Sequence, residues 1–239
     1  MCIRDSITGT TPRRRGPYEV NLVAANAHGQ DRRRLTIMVG DTLALTPPMG
    51  WNSWYIHYHR VTDADIRAAA QAMIKTGMAD FGYTYVIIDD CWMVRPGSDD
   101  PLLGGPPRDA AGAIRPNGKF PDMKALTDYI HALGLKAGLY TSPGPRTCAG
   151  YTGSYGHEEI DARKFAEWGF DFLKYDWCSY GRIARDRSRA ELMKPYKLMG
   201  AILRRVDRDI VFNLCQYGMG AVWEWGGAVG GNCWRTTGD

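Results

Sequence analysis

The sequence of 239 residues lacks several features that would assign a chain to a class of protein at once. No run of apolar residues approaches the roughly 20 that a membrane-spanning helix requires, which excludes a membrane protein. The six cysteines include no Cys-x-x-Cys pair, which counts against a zinc ribbon or a thioredoxin-like redox site. The N-terminal segment lacks the apolar stretch of a secretory signal, so any export signal must lie outside this sequence.

The sequence also has only a small excess of positive over negative charge. The net charge is +4, and six of the 30 basic residues fall in Arg13–Arg15 and Arg32–Arg34, close to the N-terminus. We therefore expect no nucleic-acid partner, which would need a broader basic surface. Aromatic residues are abundant in contrast, and the faces of the eight Trp and 13 Tyr suit the stacking of sugar rings or bases. The composition is typical of a globular protein, and the aromatic content points to a ligand without identifying it.

The first 40 residues have a pattern unlike the rest of the chain. Residues 18–25 and 34–39 alternate polar and apolar side chains and flank the turn-prone segment 26–29, which predicts a β-hairpin. Because an isolated hairpin is only marginally stable, we interpret it as the last two strands of a β-sandwich. We place the domain boundary after Gly40, so that residues 41–239 form a second domain.

From Leu45 onward, short apolar runs alternate with amphipathic stretches, which is typical of βαβ units. Thr62 is placed to N-cap the first helix, and Gly77, Gly134 and Gly169 stand where glycine ends a helix. We expect strands near 48–54, 84–92, 135–141, 170–177, 210–215 and 233–239, and helices near 62–78, 122–133, 157–168 and 189–206.

The predicted fold class is α/β, with a (β/α)₈ barrel of the TIM type truncated after about six strands. A closed barrel needs eight strands, and only six precede Asp239. An open α/β sheet of six strands is the alternative.

Polar or aromatic side chains lie at the carboxyl ends of all six strands predicted after Leu45. In a barrel all the carboxyl ends of the strands meet at one face, where the active site lies. Any one of these residues alone would pass for a helix cap or a surface residue, but six strands agree. The candidates are Trp54, Asp89, Asp90, Tyr140, Lys174, Asp176, Gln216, Arg235 and Asp239.

Strand alternation groups some of these candidates. Lys174, Asp176 and Cys178 follow one another at intervals of two residues and are expected to share a face. The same alternation groups Arg235, Thr237 and Asp239. An ammonium group beside a carboxylate keeps it ionised, which a nucleophile requires. An arginine in turn orients a carboxylate or holds a sugar hydroxyl. An ordinary ion pair between Lys174 and Asp176 at the barrel rim is the alternative.

The adjacent pair Asp89 and Asp90 admits two interpretations. Two ionised neighbours at a buried strand end repel each other unless they accept hydrogen bonds, and either sugar hydroxyls or a divalent cation would satisfy them. His57 and His59 resemble metal ligands of barrel metallohydrolases. The two histidines further along the chain lie in predicted helices, so we expect neither a metal nor another cofactor.

Several long motifs resemble glycoside hydrolase family 27, the α-galactosidase or melibiase family. The resemblance runs from about Leu43 to Asp239. It implies a barrel glycosidase that needs no cofactor and acts on α-galactoside oligo- or polysaccharides. The segments that carry it are LALTPPMGWNSW (43–54), YVIIDDCW (85–92), KFPDMKALTDYIHALGLKAGLY (119–140), TCAGYTGSYGHEEIDARKFAEWGFDFLKYDWC (147–178) and NCWRTTGD (232–239).

The resemblance also assigns roles to residues. It makes Asp176 the nucleophile and Asp239 the general acid/base of a retaining reaction. It implies a disulfide between Cys148 and Cys178, and therefore an oxidising compartment, periplasmic or secreted. The expected substrate-binding residues are Trp54, Asp89, Asp90, Tyr140, Cys148, Lys174, Cys178, Gln216, Tyr217 and Arg235.

The chain departs from the family pattern in places. Many eukaryotic members have Cys-Glu-Trp where this chain has Cys215-Gln216-Tyr217, and the loop resembles bacterial members. Galactose is the expected sugar, with α-N-acetylgalactosamine, β-L-arabinopyranose or an α-glucan as alternatives, and a non-catalytic carbohydrate-binding fragment as another. Cys91 lacks its usual partner after the first strand, and Cys233 stands where other members have a different residue, so both are expected to be free thiols. The hairpin resembles the end of an immunoglobulin-like domain.

Overall fold

The computed structural model describes residue 10 and residues 12–238. The chain divides into two compact units, one ending at Leu45 and the other beginning at Thr46. Within the described part, no helix has the length and apolar character needed to cross a membrane. The assignment of the first unit to an immunoglobulin-like domain stays a prediction.

The first unit contains the predicted hairpin. Strands β1 (Gly16–Asn26) and β2 (Gly29–Val39) pair antiparallel, from Gly16 opposite Val39 to Asn26 opposite Gly29. The Oδ1 atom of Asn26 accepts a hydrogen bond of 2.8 Å from the backbone N–H of His28. This Asx-type contact closes the two-residue turn and so fixes the register of the strands.

The second unit holds a parallel sheet whose strand order in space is the order in sequence. This sequential order is that of a (β/α)₈ barrel, whereas a doubly wound open sheet reverses its order at a switch point. The predicted fold class is therefore confirmed as part of such a barrel, and the open-sheet alternative is wrong. Among the described residues its six strands are β3 (Met49–Asn52), β4 (Tyr83–Ile88), β5 (Lys136–Thr141), β6 (Phe172–Tyr175), β7 (Val211–Leu214) and β8 (Cys233–Trp234).

Helices connect these strands and cover the sheet. The α-helices are α1 (Trp54–His57), α2 (Asp63–Lys75), α3 (Met123–Ala132), α4 (Glu158–Trp168) and α5 (Arg189–Leu203). Short 3₁₀ turns lie at Tyr58–Arg60, Met78–Phe81, Tyr180–Arg182, Val222–Glu224 and Gly227–Val229.

The predicted helix boundaries have the expected chemistry. Thr62 caps α2 in a capping box with Asp65, in which each side chain bonds the other residue's backbone N–H. Gly77 and Gly134 follow the ends of α2 and α3 with positive φ, and Gly169 ends α4 in the same left-handed conformation. Local propensity and the tertiary fold therefore agree at these boundaries.

The core forms where helix and strand side chains meet. Apolar residues recur three or four positions apart on the buried face of each long helix, as an amphipathic helix requires. The burial of these side chains is the main force that holds the helices against the sheet. They include Ile66, Ala70, Met73, Leu126, Ile130, Ala162, Phe165, Trp168, Tyr196 and Met199.

Several predicted strands are too long at their carboxyl ends. Strand β3 ends at Asn52, and Trp54 opens α1 instead of ending the strand. Strand β8 ends at Trp234, so strand alternation does not relate Arg235 to the residues that follow it. At these ends the regular strand stops before the last residues that the sequence alternation included.

Candidate active site

A pocket of about 380 Å³ lies at the carboxyl ends of the parallel strands. This volume falls within the range of ordinary small-ligand sites. Of the eleven sequence-predicted site residues that the structure describes, nine line it. Its lining is Asn52, Trp54, Tyr55, Asp89, Asp90, Tyr140, Cys148, Lys174, Asp176, Cys215, Tyr217 and Arg235.

Asp176 follows the last residue of β6 and is held by three hydrogen bonds to its carboxylate. Its Oδ1 atom accepts from the Tyr217 hydroxyl at 2.7 Å and from the backbone N–H of Trp177 at 2.8 Å. Its Oδ2 atom accepts from the Tyr140 hydroxyl at 2.9 Å. Burial raises the pKa of Asp176 above its ordinary value, and the bonds from Tyr217 and Trp177 oppose this rise.

Lys174 lies in β6 and forms its ion pair with Asp89, which follows β4 two strands away in the sheet. Its Nζ atom lies 2.6 Å from Asp89 Oδ2, which also accepts a 2.7 Å hydrogen bond from the side-chain amide of Asn52. Burial lowers the pKa of Lys174, but the charge and the hydrogen bond of Asp89, together with other acidic groups nearby, outweigh this effect and raise the pKa above its usual value. The predicted ammonium beside Asp176 is therefore neutralised first by Asp89, and Asp176 receives only its more distant field.

Asp90 is 2% exposed and is satisfied by backbone donors. Its Oδ1 atom accepts from the N–H of Cys91 at 2.7 Å, and its Oδ2 atom accepts from the N–H of Ala149 at 3.0 Å. Its own N–H donates to Asp89 Oδ1 at 2.9 Å. Burial raises the pKa of Asp90 to about 6. The two neighbouring carboxylates are therefore tolerated because the protein itself supplies hydrogen-bond donors to each.

Cys148 and Cys178 form a disulfide, as the family resemblance implies. This disulfide lies beside the Asp176 carboxylate. The Tyr140 hydroxyl lies 3.5 Å from the Cys178 sulfur, and the Tyr217 hydroxyl lies 3.7 and 3.8 Å from the sulfurs of Cys148 and Cys178. Both sulfurs and Asp176 lie close enough together for a metal site. Disulfide sulfurs, however, are not the thiolates that bind a metal.

Within the described residues, Cys91, Cys215 and Cys233 form no disulfide, in agreement with the expectation for Cys91 and Cys233. Burial raises the pKa of both the Cys91 and the Cys215 thiol to about 12. These thiols are therefore neutral and unreactive at ordinary pH.

The remaining predicted residues differ in position. Arg235 stacks its guanidinium 5.3 Å from the centre of the Tyr217 ring and donates to the carbonyl of Gly238 at 2.8 Å. Gln216 is buried and does not line the pocket, and in the described part of the chain its two amide atoms have no hydrogen-bond partner. Asp239, the predicted acid/base, lies outside the described residues.

Four site residues were missed by sequence reasoning. Asn52 binds Asp89, and the Ser53 hydroxyl accepts a 2.9 Å hydrogen bond from the N–H of that residue. Tyr55 and Cys215 line the pocket. The rule that polar residues at strand ends face the site would have found Asn52, because β3 ends there.

The histidines of the metal-site alternative lie elsewhere. His57 points an imidazole nitrogen at Asp65, 3.8 Å away, and the His59 carbonyl accepts a hydrogen bond from Lys119. Neither histidine lines the pocket. The pocket therefore does not contain the imidazole donors on which that alternative depended.

Comparisons with known proteins agree with this geometry. A family model described as alpha galactosidase A matches residues 46–225. Alpha-galactosidase A of Cellvibrio japonicus is 43% identical over 201 residues, which are 83% of this chain and 45% of that protein. The chain spans about half the length of the curated relatives it matches.

Solved structures match as well. A crystal structure from Bacteroides fragilis NCTC 9343 superposes with a TM-score of 0.83 at 44% identity, over 95% of this chain and 46% of that one. The structure of alfa-galactosidase from Saccharomyces cerevisiae with raffinose gives a TM-score of 0.73 at 34% identity, over 82% of this chain and 41% of that one.

Proposed function

Because the chain belongs to the alpha galactosidase A family, we propose that the protein that carries it is a retaining glycoside hydrolase. It releases terminal α-linked galactose from oligo- or polysaccharides. The observation that carries the proposal is the buried Asp176 carboxylate, which two tyrosine hydroxyls and a backbone N–H hold at the face of the pocket. A carboxylate fixed in this way is suited to attack a carbon centre.

The proposed reaction has two displacements. In the first, a carboxylate oxygen of Asp176 bonds to the anomeric carbon, the glycosidic C–O bond breaks, and Asp239 gives its proton to the leaving oxygen. In the second, Asp239 takes a proton from water, the water oxygen bonds to the anomeric carbon, and the bond to Asp176 breaks. Two inversions at the same carbon return the α configuration.

The rest of the pocket is suited to a neutral, hydroxyl-rich ring. Asp89 and Asp90 are hydrogen-bond acceptors, whereas Lys174 and Arg235 are donors. The half-buried ring of Trp54 offers an apolar face for one side of the sugar. We assign these five residues to sugar binding.

The disulfide also bears on where the protein works. Disulfides persist in oxidising compartments, and the Cys148–Cys178 bridge supports a periplasmic or secreted location. The hairpin of the first unit is consistent with our proposal of an immunoglobulin-like domain before the barrel.

The test uses the full-length gene product that carries this sequence. We expect it to hydrolyse 4-nitrophenyl α-galactoside, with or without a chelator, and to release α-galactose first as followed by NMR. The Asp176→Gly variant should lose at least ~10³-fold in kcat. Azide should restore turnover and yield β-galactosyl azide, because azide attacks once from the face that Asp176 occupied. Asp128→Asn, at an exposed helix position, is the matched control.

Other outcomes select among the alternatives. Hydrolysis of an α-N-acetylgalactosaminide, a β-L-arabinopyranoside or an α-glucan in place of the galactoside would keep the mechanism and change the substrate. Binding of galactose without hydrolysis of any glycoside would replace the enzyme by a carbohydrate-binding protein. Wild-type rates in Asp176→Gly would show that another residue is the nucleophile.

A further inference from the structure

The hydroxyl of Tyr217 makes the shortest hydrogen bond to the Asp176 carboxylate among the three that hold it. This bond joins residues 41 positions apart, from the loops after β7 and β6. Of the bonds that lower the pKa of Asp176, it has the largest effect. The loop after β7 therefore acts directly on the group that attacks the substrate.

The backbone of this loop is shaped to deliver the hydroxyl. Tyr217 has a φ of +63°, which is uncommon for a residue with a large side chain. Gly218 follows with a φ of +78°, and a side chain there would collide with the backbone carbonyl of Thr236. The chain thus turns back against the segment that follows β8, which directs the Tyr217 ring toward Asp176.

The ring is also clamped from the side. The Arg235 guanidinium lies 5.3 Å from the centre of the Tyr217 ring. This cation–π contact orients the ring, and the adjacent positive charge makes the phenol a stronger hydrogen-bond donor. Strained backbone, a glycine contact and a stacked cation therefore converge on one hydroxyl.

We propose that Tyr217 is a positioning residue whose hydroxyl holds the Asp176 carboxylate in the orientation needed for attack. The proposal rests on the proposed function and deepens it. In the free enzyme the hydrogen bond stabilises the ionised form of the Asp176 carboxyl, which burial disfavours. In the second displacement charge returns to the carboxylate as the bond to the sugar breaks, and the same hydroxyl stabilises it as a leaving group.

The primary test is a direct titration of Asp176, which needs no turnover. The full-length protein is labelled with ¹³C at the aspartate carboxyl carbons, and the Asp176 signal is assigned by its loss in Asp176→Asn. We expect Tyr217→Phe to raise the pKa of Asp176 by about one to two units, because a hydrogen bond to a charged group contributes on that scale. Tyr155→Phe, an exposed tyrosine outside the pocket, should leave it unchanged.

A second variant covers a folding defect in Tyr217→Phe. Replacement of Tyr217 by 3-fluorotyrosine keeps the shape of the ring and strengthens the donor, so it should lower the pKa of Asp176. In kinetics, the acid limb of kcat/KM should move with the titration, upward in the phenylalanine variant and downward in the fluorinated one.

An Asp176 titration that stays in place in both variants would overturn the proposal, even if stability or sugar affinity fell, because a purely structural residue would give that result. A wild-type protein inactive toward every α-glycoside tested would reject the proposed function, while the titration would still report whether Tyr217 controls the carboxylate.

Discussion

Burial of the Asp90 carboxyl in the pocket should lower the stability of the fold at pH values where this group is ionised. The buried carboxyl has a pKa of about 6, against about 4 for an aspartate in an unfolded chain. Between these values the folded protein retains a proton that the unfolded chain has released. The free energy of unfolding should therefore fall by about 3 kcal/mol as pH rises from 4 to 6, and this contribution should level off above that.

The measurement is denaturant unfolding across pH 4 to 7 for the wild type and Asp90→Asn. Only the difference between the two curves is used, since other groups titrate in both. The variant should lack this part of the decline. The control is Asp99→Asn at an exposed position, and its curve of unfolding free energy against pH should run parallel to that of the wild type. Parallel curves for wild type and Asp90→Asn would contradict the elevated pKa.

Single residues were predictable from the sequence where one strand determined their position. Asp89, Lys174 and Asp176 follow apolar runs, so their place at the pocket follows from strand direction alone. Their partners did not follow. Lys174 pairs with Asp89, which is 85 positions away, and Tyr217 reaches Asp176 only through a left-handed backbone turn. Neither contact leaves a local pattern in the sequence.

At the scale of elements, Arg108 joins a loop after β4 to helix α4. Its guanidinium bonds both carboxylate oxygens of Asp161, at 2.7 and 3.2 Å, and the carbonyls of Gly112 and Gly153. Asp161 is fully buried, and burial raises its pKa while the Arg108 hydrogen bond opposes the rise. One side chain thus connects three segments around a buried charge.

We expect Arg108→Met to lower the free energy of unfolding by about 3 to 5 kcal/mol, because it leaves an uncompensated buried carboxylate. Arg163→Met is the matched control, since Arg163 pairs with the exposed Glu159 and should change stability by no more than about 1 kcal/mol. Adding Asp161→Leu to Arg108→Met should recover part of the loss. Equal small losses in both arginine variants would show that burial does not amplify this pair.

The helices and strands could be predicted because the sequence patterns that determine them are local. Hydrophobic periodicity predicted every long helix and each strand, and Thr62 and Gly134 stand at helix ends as their conformations require. The carboxyl ends of strands were overestimated. There the polar residues of the pocket continue the alternation in sequence, while their backbone has already left the sheet, as at β8 after Trp234.

In the parallel sheet of the second unit, the order of the strands brings residues that are distant in sequence to one pocket. Because each strand runs parallel to the next, residues from six separated segments meet at one face, although the sequence shows only that each segment ends in a polar residue. The face was therefore predictable, whereas the absence of Gln216 from the pocket lining was not.

The Cys148–Cys178 disulfide acts at this same scale, since it restricts the unfolded chain rather than adding a contact. It joins residues 30 positions apart, and on the chain-entropy model a loop of this length stabilises the fold by about 3 to 4 kcal/mol. Reduction of the folded protein should lower the free energy of unfolding by that amount. The Cys148→Ala/Cys178→Ala variant should match the reduced wild type and be insensitive to reductant.

The same reduction should also reach the site, because both sulfurs lie within 4 Å of the Tyr217 hydroxyl that bonds Asp176. Activity should therefore fall at denaturant concentrations where the reduced protein is still folded by circular dichroism. If activity and ellipticity were lost together, the disulfide would stabilise the fold as a whole without a separate effect on the site. If the reduced and oxidised proteins unfolded at the same denaturant concentration, the entropic contribution would be absent.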